Sequence, residues 1–364
     1  MVGLALAETL SRRLPAASIV LCERNRLPGQ EISARHSGVI HAGVYYGDLP
    51  RKAAMCVRGR ELLYDYCVAN DIDHRRCGKY ILAFDAAGQA GLSRIAQAAD
   101  VQGVPLLAVD GPPLRTTLKN PQVVAGLWSP MTGIVDSHGL VARLRAQAES
   151  RGVVCCWATT FVAPERVDGT GCWFTVADAR GERTRVRAGR LFNAAGLGAA
   201  RVANQLWPQG GFAVRPCRGR YFALSARFRG AHPSLLYPLP DPAGGLGVHL
   251  TLDLAGQARL GPDVDWSMAD AAPDDAALLR FDDDVEALAE RFVRAGRWLL
   301  PDLTRDDLRP DYIGVRPKLF RHGRAHPDFW MGPGPDGVAW HLLGIESPGL
   351  TAALAIAEDL CRRL

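Results

Sequence analysis

A helix that opens on glycine, followed by a short apolar strand ending in a carboxylate, constrains this chain more than any other stretch. Met1-Val-Gly3-Leu-Ala-Leu-Ala-Glu-Thr-Leu10 carries the small and apolar residues of a helix already under way, and Ser18-Ile-Val-Leu-Cys22 reads as a strand that ends on Glu23. In a dinucleotide-binding βαβ unit, Gly-x-Gly-x-x-Gly links the first strand to the helix. An acidic residue about 20 residues further on then accepts hydrogen bonds from the ribose. Gly3 takes the place of the third glycine, and Glu23 lies 20 residues beyond it. The first strand and first two glycines of such a unit fall before residue 1. The reading therefore expects a nucleotide-binding chain without its opening strand, and a break between the Glu23 strand and a strand around Phe192.

With 364 residues, of which 48% are hydrophobic, the chain is long enough for two domains with a large buried core. No apolar run approaches the roughly 18 residues of a membrane span, and no signal-peptide pattern is visible. The nine cysteines include no Cys-x-x-Cys, which points to reduced thiols and a cytoplasmic protein. A net charge of +5 is mild, and the basic residues form no long run, so nucleic-acid binding is not indicated. His322 and His326 have helical metal-ligand spacing, but Pro327 opposes a helix there and no acidic or thiol cluster joins them; no metal is expected.

The order of elements predicts an α/β fold. Helix and strand alternate over 1–23, a glycine- and histidine-rich loop follows, and helices read at 51–69, 90–103 and 137–150, the last capped by Ser137. Asn193-Ala-Ala-Gly196 forms a second strand-to-glycine turn. Residues 213–263 alternate apolar and polar positions between proline and glycine turns, as in an antiparallel sheet, and the chain ends in a helix from Pro348. Two discontinuous domains are expected. A Rossmann-like nucleotide domain comes from 1–77, 129–211 and 312–364, and an antiparallel-sheet substrate domain from 78–128 and 212–311.

The densest motif is His36-Ser-Gly-Val-Ile-His41-Ala-Gly-Val-Tyr-Tyr46, with two histidines, two glycines and two tyrosines in eleven residues. Glycine lets backbone approach a flat ligand closely, Ser37 and backbone N–H groups offer hydrogen bonds, and the histidines can titrate near neutrality. This loop closely resembles the flavin-contacting loop of L-2-hydroxyglutarate dehydrogenases and oxidases, in the D-amino-acid-oxidase-like superfamily. The resemblance continues through Cys77-Gly-Lys79, Gly133-Ile-Val-Asp136, Asn193-Ala-Ala-Gly196, Pro216-Cys-Arg218-Gly-Arg220-Tyr221-Phe222, Tyr237-Pro-Leu-Pro-Asp241, Gly245-Leu-Gly-Val-His249-Leu-Thr251, Gly314-Val-Arg316-Pro-Lys318 and Gly344-Ile-Glu-Ser-Pro-Gly349-Leu-Thr351.

The resemblance implies FAD as cofactor, a glutathione-reductase-type FAD domain, and oxidation of L-2-hydroxyglutarate or a close 2-hydroxy acid to the 2-oxo acid, with hydride passing to flavin N5. Cofactor contacts are expected from Gly3, Glu23, His36, Ser37, Gly38, Val39, Ala195, Gly196, Gly349, Leu350 and Thr351. Ser347 is expected to cap the last helix, whose free N–H groups favour negative charge. His249 is expected to take the substrate hydroxyl proton, with His41 as the rival base. Arg218, Tyr221, Tyr237, Arg316 and Lys318 are expected around the substrate, since arginine binds carboxylates bidentately. A related enzyme acting on glycerol 3-phosphate or an amino acid, and an inactive chain unable to hold FAD, are the competing readings. The electron acceptor is a quinone, a carrier protein or oxygen; a quinone would suit peripheral contact with a membrane, although no basic amphipathic helix marks one.

Overall fold

A computed structural model describes residues 1–239, 248–272, 275–281 and 284–364. Pro240 and Asp241 of one family motif, and Gly245-Leu-Gly247 of another, lie outside the described residues. The fold is α/β, built on a large mixed sheet and smaller nucleotide-side sheets.

The helix Val2–Arg13 buries its Leu4–Ser11 stretch. It packs on the final helix Gly349–Arg362, itself buried from Thr351 through Ala357, and on Ser137–Ser150. Alanine-rich faces allow these helices to approach closely. Gly59 of the Pro50–Ala69 helix shows the limit, because a Cβ there would overlap the Thr351 carbonyl oxygen. Asp136, not Ser137, caps the Ser137–Ser150 helix: its carboxylate accepts from the His138 N–H at 3.0 Å. Ser137 is already inside the first turn, where its hydroxyl cannot reach back to the free amides.

Beneath these helices, Val20–Cys22 pairs in parallel with Val154–Cys156, and Leu191–Asn193 pairs in parallel with Ala339–Leu343. The two pairs belong to separate sheets, and no described strand joins them. That is where the sequence placed a break.

The large sheet runs in the order Arg324–Ala325, Leu308–Arg321, Phe212–Leu224, Ala258–Leu260, Leu250–Leu252, Leu235–Pro238, Lys79–Ala83, Ala125–Ser129, Leu107–Asp110. It is antiparallel except where Leu235–Pro238 runs parallel to Lys79–Ala83, so the all-antiparallel expectation needs that correction. Alternation reveals which residues share a face but not the direction of a neighbour distant in sequence. Leu308–Arg321 pairs with Phe212–Leu224 along most of its length, and the expected boundary at 312 falls inside it. The Val285–Gly296 helix covers one face through Leu288 and Phe292, which join Phe222, Leu236 and Leu250 in the largest apolar core.

Candidate active site

Pieces remote in sequence converge on a cavity of about 350 Å³. Its wall takes in the start of the first helix, the 32–49 loop, the Ala194–Gly196 turn, strand residues of the large sheet, and the 345–350 segment. Gly3, His36, Ser37, Val39, His41, Gly196, Tyr221, Tyr237, His249, Arg316, Gly349 and Leu350 all line it. Gly314 lets its strand lie against the loop, because a Cβ there would overlap the Arg35 carbonyl oxygen.

The His36–Tyr46 loop is held to the last helix through the Thr351 side chain. The His41 N–H donates to Thr351 Oγ1 at 3.0 Å, and that hydroxyl donates to the Val39 carbonyl at 3.4 Å. Thr351 is thus a clamp behind the cavity wall. Gly38 turns the loop with φ +67°, and its N–H donates to His36 Nδ1 at 3.0 Å. Burial pushes His36 down to about 4, against the pull of the Ser33 carbonyl. His41 is pushed further, to about 3, by burial and then by the Lys79 charge. Its Nε2 lies 3.2 Å from Ser347 Oγ, which is 3.4 Å from the Tyr46 hydroxyl. Ser347 therefore does not cap the last helix; Pro348 occupies the N-cap, and the Ser347 hydroxyl turns to His41 instead.

His249 is 2% exposed and lies flat on Tyr237, with ring centroids 3.6 Å apart and 8° between planes. Tyr221 stacks on Tyr312 at 4.4 Å, and burial pushes its phenol up to about 12. The Tyr312 hydroxyl donates to the His36 carbonyl at 3.0 Å, which ties the sheet to the loop. Arg316 spreads its fork across the sheet, donating to the carbonyls of Arg218 at 3.1 Å and Asp263 at 2.9 Å.

Two expected substrate residues are not at the cavity wall. Arg218 is 1% exposed and is engaged by Asp265 at 2.6 Å and by the Arg280 carbonyl at 3.2 Å. A buried guanidinium needs such partners, and Asp263 and Asp265, remote in sequence, supply them to Arg218 and Arg220. Lys318 pairs with Glu346 at 2.8 Å, and Lys52 pairs with the same carboxylate at 2.9 Å. Burial works to raise the Glu346 pKa, but the two lysines outweigh it and hold the carboxyl below its usual value.

Of the residues expected to contact the cofactor, Glu23, Gly38, Ala195 and Thr351 are not part of the wall. Glu23 ends its strand with Oε1 held by the N–H and side-chain amide of Asn25, both at 2.9 Å. Sequence reading missed Arg35, Tyr45, Tyr46 and Glu346 as wall residues, although both tyrosines sat in the motif already singled out.

The wall fits a flat, anionic, hydrogen-bonding group. Arg35 Nε, His36 Nε2 and Tyr45 Oη are buried with no hydrogen-bond partner among the described residues, and all three residues face the cavity. The helices at Val2 and Gly349 both open onto it with no side-chain cap. Apart from the Gly349 N–H, which donates to the Glu346 carbonyl, their first-turn amides suit an anion.

A sequence profile of the family described as FAD dependent oxidoreductase (DAO) matches residues 1–363. The mitochondrial L-2-hydroxyglutarate dehydrogenase of Arabidopsis thaliana is 34% identical over 403 residues, covering 100% of this chain and 81% of that protein. The L-2-hydroxyglutarate dehydrogenase of Escherichia coli strain K12 is 26% identical over 391 residues, covering 100% and 91%. Among solved structures, dithionite-reduced L-alpha-glycerophosphate oxidase from Mycoplasma pneumoniae with FAD bound superposes with a TM-score of 0.84 at 21% identity, covering 99% of this chain and 91% of that one. Glycine oxidase from Geobacillus kaustophilus gives 0.79 at 17% identity, covering 100% and 92%.

Proposed function

From the DAO family of FAD-dependent oxidoreductases, to which this chain belongs, we propose that it oxidises L-2-hydroxyglutarate, or a close 2-hydroxy acid, to the 2-oxo acid. The single observation that carries this reading is the convergence of His249, Tyr237, Tyr45 and Arg316 on the wall of the cavity that also receives both uncapped helix N-termini. Bound FAD supplies the acceptor, at N5, for the two electrons that leave the substrate carbon as hydride.

The protein residues would hold the cofactor through first-turn amides at Gly3, Leu350 and Thr351, close approach at Gly349, the Gly196 turn, and the His36–Val39 backbone, with Glu23 toward the ribose. Those amides would favour negative charge on a group held at the helix ends. His249 takes the substrate hydroxyl proton as the carbon–hydrogen bond breaks. The His41 imidazole is held far below neutrality and is a poor acceptor at working pH. His41 instead fixes Ser347 and Tyr46. Arg316 and the Tyr221, Tyr237 and Tyr45 hydroxyls present cationic and donor groups to two carboxylates.

Among the described residues no helix is long and apolar enough to cross a membrane. A cytoplasmic place, or a peripheral one at the inner face of a membrane, is supported by nine unpaired cysteines. Electrons leave for a quinone, a carrier or oxygen.

Anaerobic mixing of the FAD-loaded protein with candidate substrates tests the reading. L-2-hydroxyglutarate should bleach the visible flavin band, and its D enantiomer should not. Bleaching by glycerol 3-phosphate or an amino acid in preference to 2-hydroxy acids would replace the assignment.

A further inference from the structure

Lys79 belongs to a strand tied on both edges, to Leu235 on one side and Ser129 on the other. Its side chain is buried, with the residue 1% exposed. No carboxylate among the described residues pairs with it. Instead its Nζ lies 4.5 Å from the ring centroid of Tyr45 and 4.6 Å from that of Tyr237. Both rings line the cavity, Tyr237 carries His249 stacked upon it, and the Tyr45 hydroxyl is buried with no partner among the described residues. A lone ammonium is costly to bury, and two ring faces offset that cost only in part. An anion in the cavity would complete the arrangement.

We propose that Lys79 is a specificity-determining residue, whose ammonium behind the Tyr45 and Tyr237 rings sets the affinity of the cavity for the second carboxylate of a dicarboxylic substrate. The inference rests on the dicarboxylate reading above. A cation over a phenol ring draws electron density from it and strengthens its O–H as a donor. The same charge attracts a carboxylate across a short, poorly screened distance. Lys79 acts through the tyrosines and need not touch the substrate.

Burial pushes Lys79 down to about 7, so its charge is present below neutrality and is lost as pH rises. A bound carboxylate should restore that charge, and binding should take up a proton above pH 7. The other groups facing it are His41 and Tyr45 from the loop, Cys56 from the Pro50–Ala69 helix, and Tyr237. His41 is held near 3, Cys56 near 12, and burial raises both phenols, so none of them titrates around neutrality. His249 beside Tyr237 is controlled for by the variant.

The test uses the FAD-loaded protein, with glutarate and butyrate as non-reacting probes measured by calorimetry from about pH 6 to about pH 9. Wild type should prefer glutarate by about tenfold or more at the acid end, and lose most of that preference at the alkaline end with proton uptake on binding. Lys79→Met should show the weak preference at every pH and no such uptake, while melting no lower than wild type, because it removes an unpaired buried charge. Tyr45→Phe should also weaken the preference, and the double variant should weaken it little further.

A folded Lys79→Met protein that keeps both the glutarate preference and its pH dependence overturns the proposal. If that variant does not fold, a wild-type preference that stays constant across the pH range overturns it. Either result alongside turnover of L-2-hydroxyglutarate leaves the function standing and removes only the role of Lys79. Wild type with no glutarate preference and no turnover of 2-hydroxy acids removes both.

Discussion

His249 and His41 reach the same cavity, and the roles proposed for them differ. His249→Gln should slow flavin reduction in stopped-flow by about 10²–10⁴-fold while FAD stays bound, the usual loss for a general base. His41→Gln should have a much smaller effect; the reverse order would exchange the roles. Both His36 and His41 have pKa values far below the ordinary histidine value, and the sign of the consequence is fixed. An unfolded chain binds protons at these histidines as pH falls below about 6.5, and the folded chain does not until about 4 or lower. Stability conferred by their neutral burial is present above that range and lost on acidification. Urea midpoints should fall between about pH 6.5 and pH 4, and replacing His36 by Gln should flatten the fall. Arg316→Lys keeps charge but cannot reach two carbonyls on adjacent segments, so kcat/KM should drop and the urea midpoint with it. Wild-type values in both measurements would show that neither turnover nor stability depends on the guanidinium fork.

The turn motifs were the most legible elements, because their chemistry is local. The loop that lines the cavity could be located from Gly38, His36 and Ser37 within a few residues, and the Pro50–Ala69 and Ser137–Ser150 helices could be placed from periodicity and breakers. Caps were less legible. Ser137 and Ser347 had the right chemistry for a cap, but the backbone entered each helix one residue away, and the neighbouring Asp136 and Pro348 took the position. Pairing between elements was least legible. Nothing near Arg218 in the sequence names Asp265, and nothing near Lys318 names Lys52, so charges engaged in ion pairs away from the wall looked like substrate ligands. The clamp between loop and last helix was hidden for the same reason, since Val39 and Thr351 are joined only in the fold. Thr351→Val keeps the shape and removes the hydroxyl, leaving the His41 N–H without its acceptor. The change should destabilise the protein by about 1–3 kcal/mol. FAD affinity should weaken with it, as the loop loses its fixed distance from the helix terminus.

Across the whole molecule one cavity wall draws on residues from the first helix to the last, so ligand occupancy and global stability are coupled. The α/β class and the family's motif order were readable because each motif is contiguous; the mixed sheet was not, since its one parallel pair joins strands far apart in the chain. A ligand that bridges such remote segments binds only the folded chain and stabilises it by mass action, by about 2.7 kcal/mol when present at 100 times its Kd. Adding FAD to stripped protein should therefore raise Tm in a concentration-dependent way. Glu23 gives a sharp probe of that coupling, because it stands at the end of the Val20–Cys22 strand with one carboxylate oxygen held by Asn25. If the carboxylate receives the ribose hydroxyls, Glu23→Ala should weaken FAD binding by about 1–3 kcal/mol, as for a lost hydrogen bond to a charged group. The FAD-dependent part of Tm should shrink to match, while the melting of the stripped protein changes little. An unchanged FAD dissociation constant would place the adenosine elsewhere and return Glu23 to an ordinary turn residue that holds Asn25.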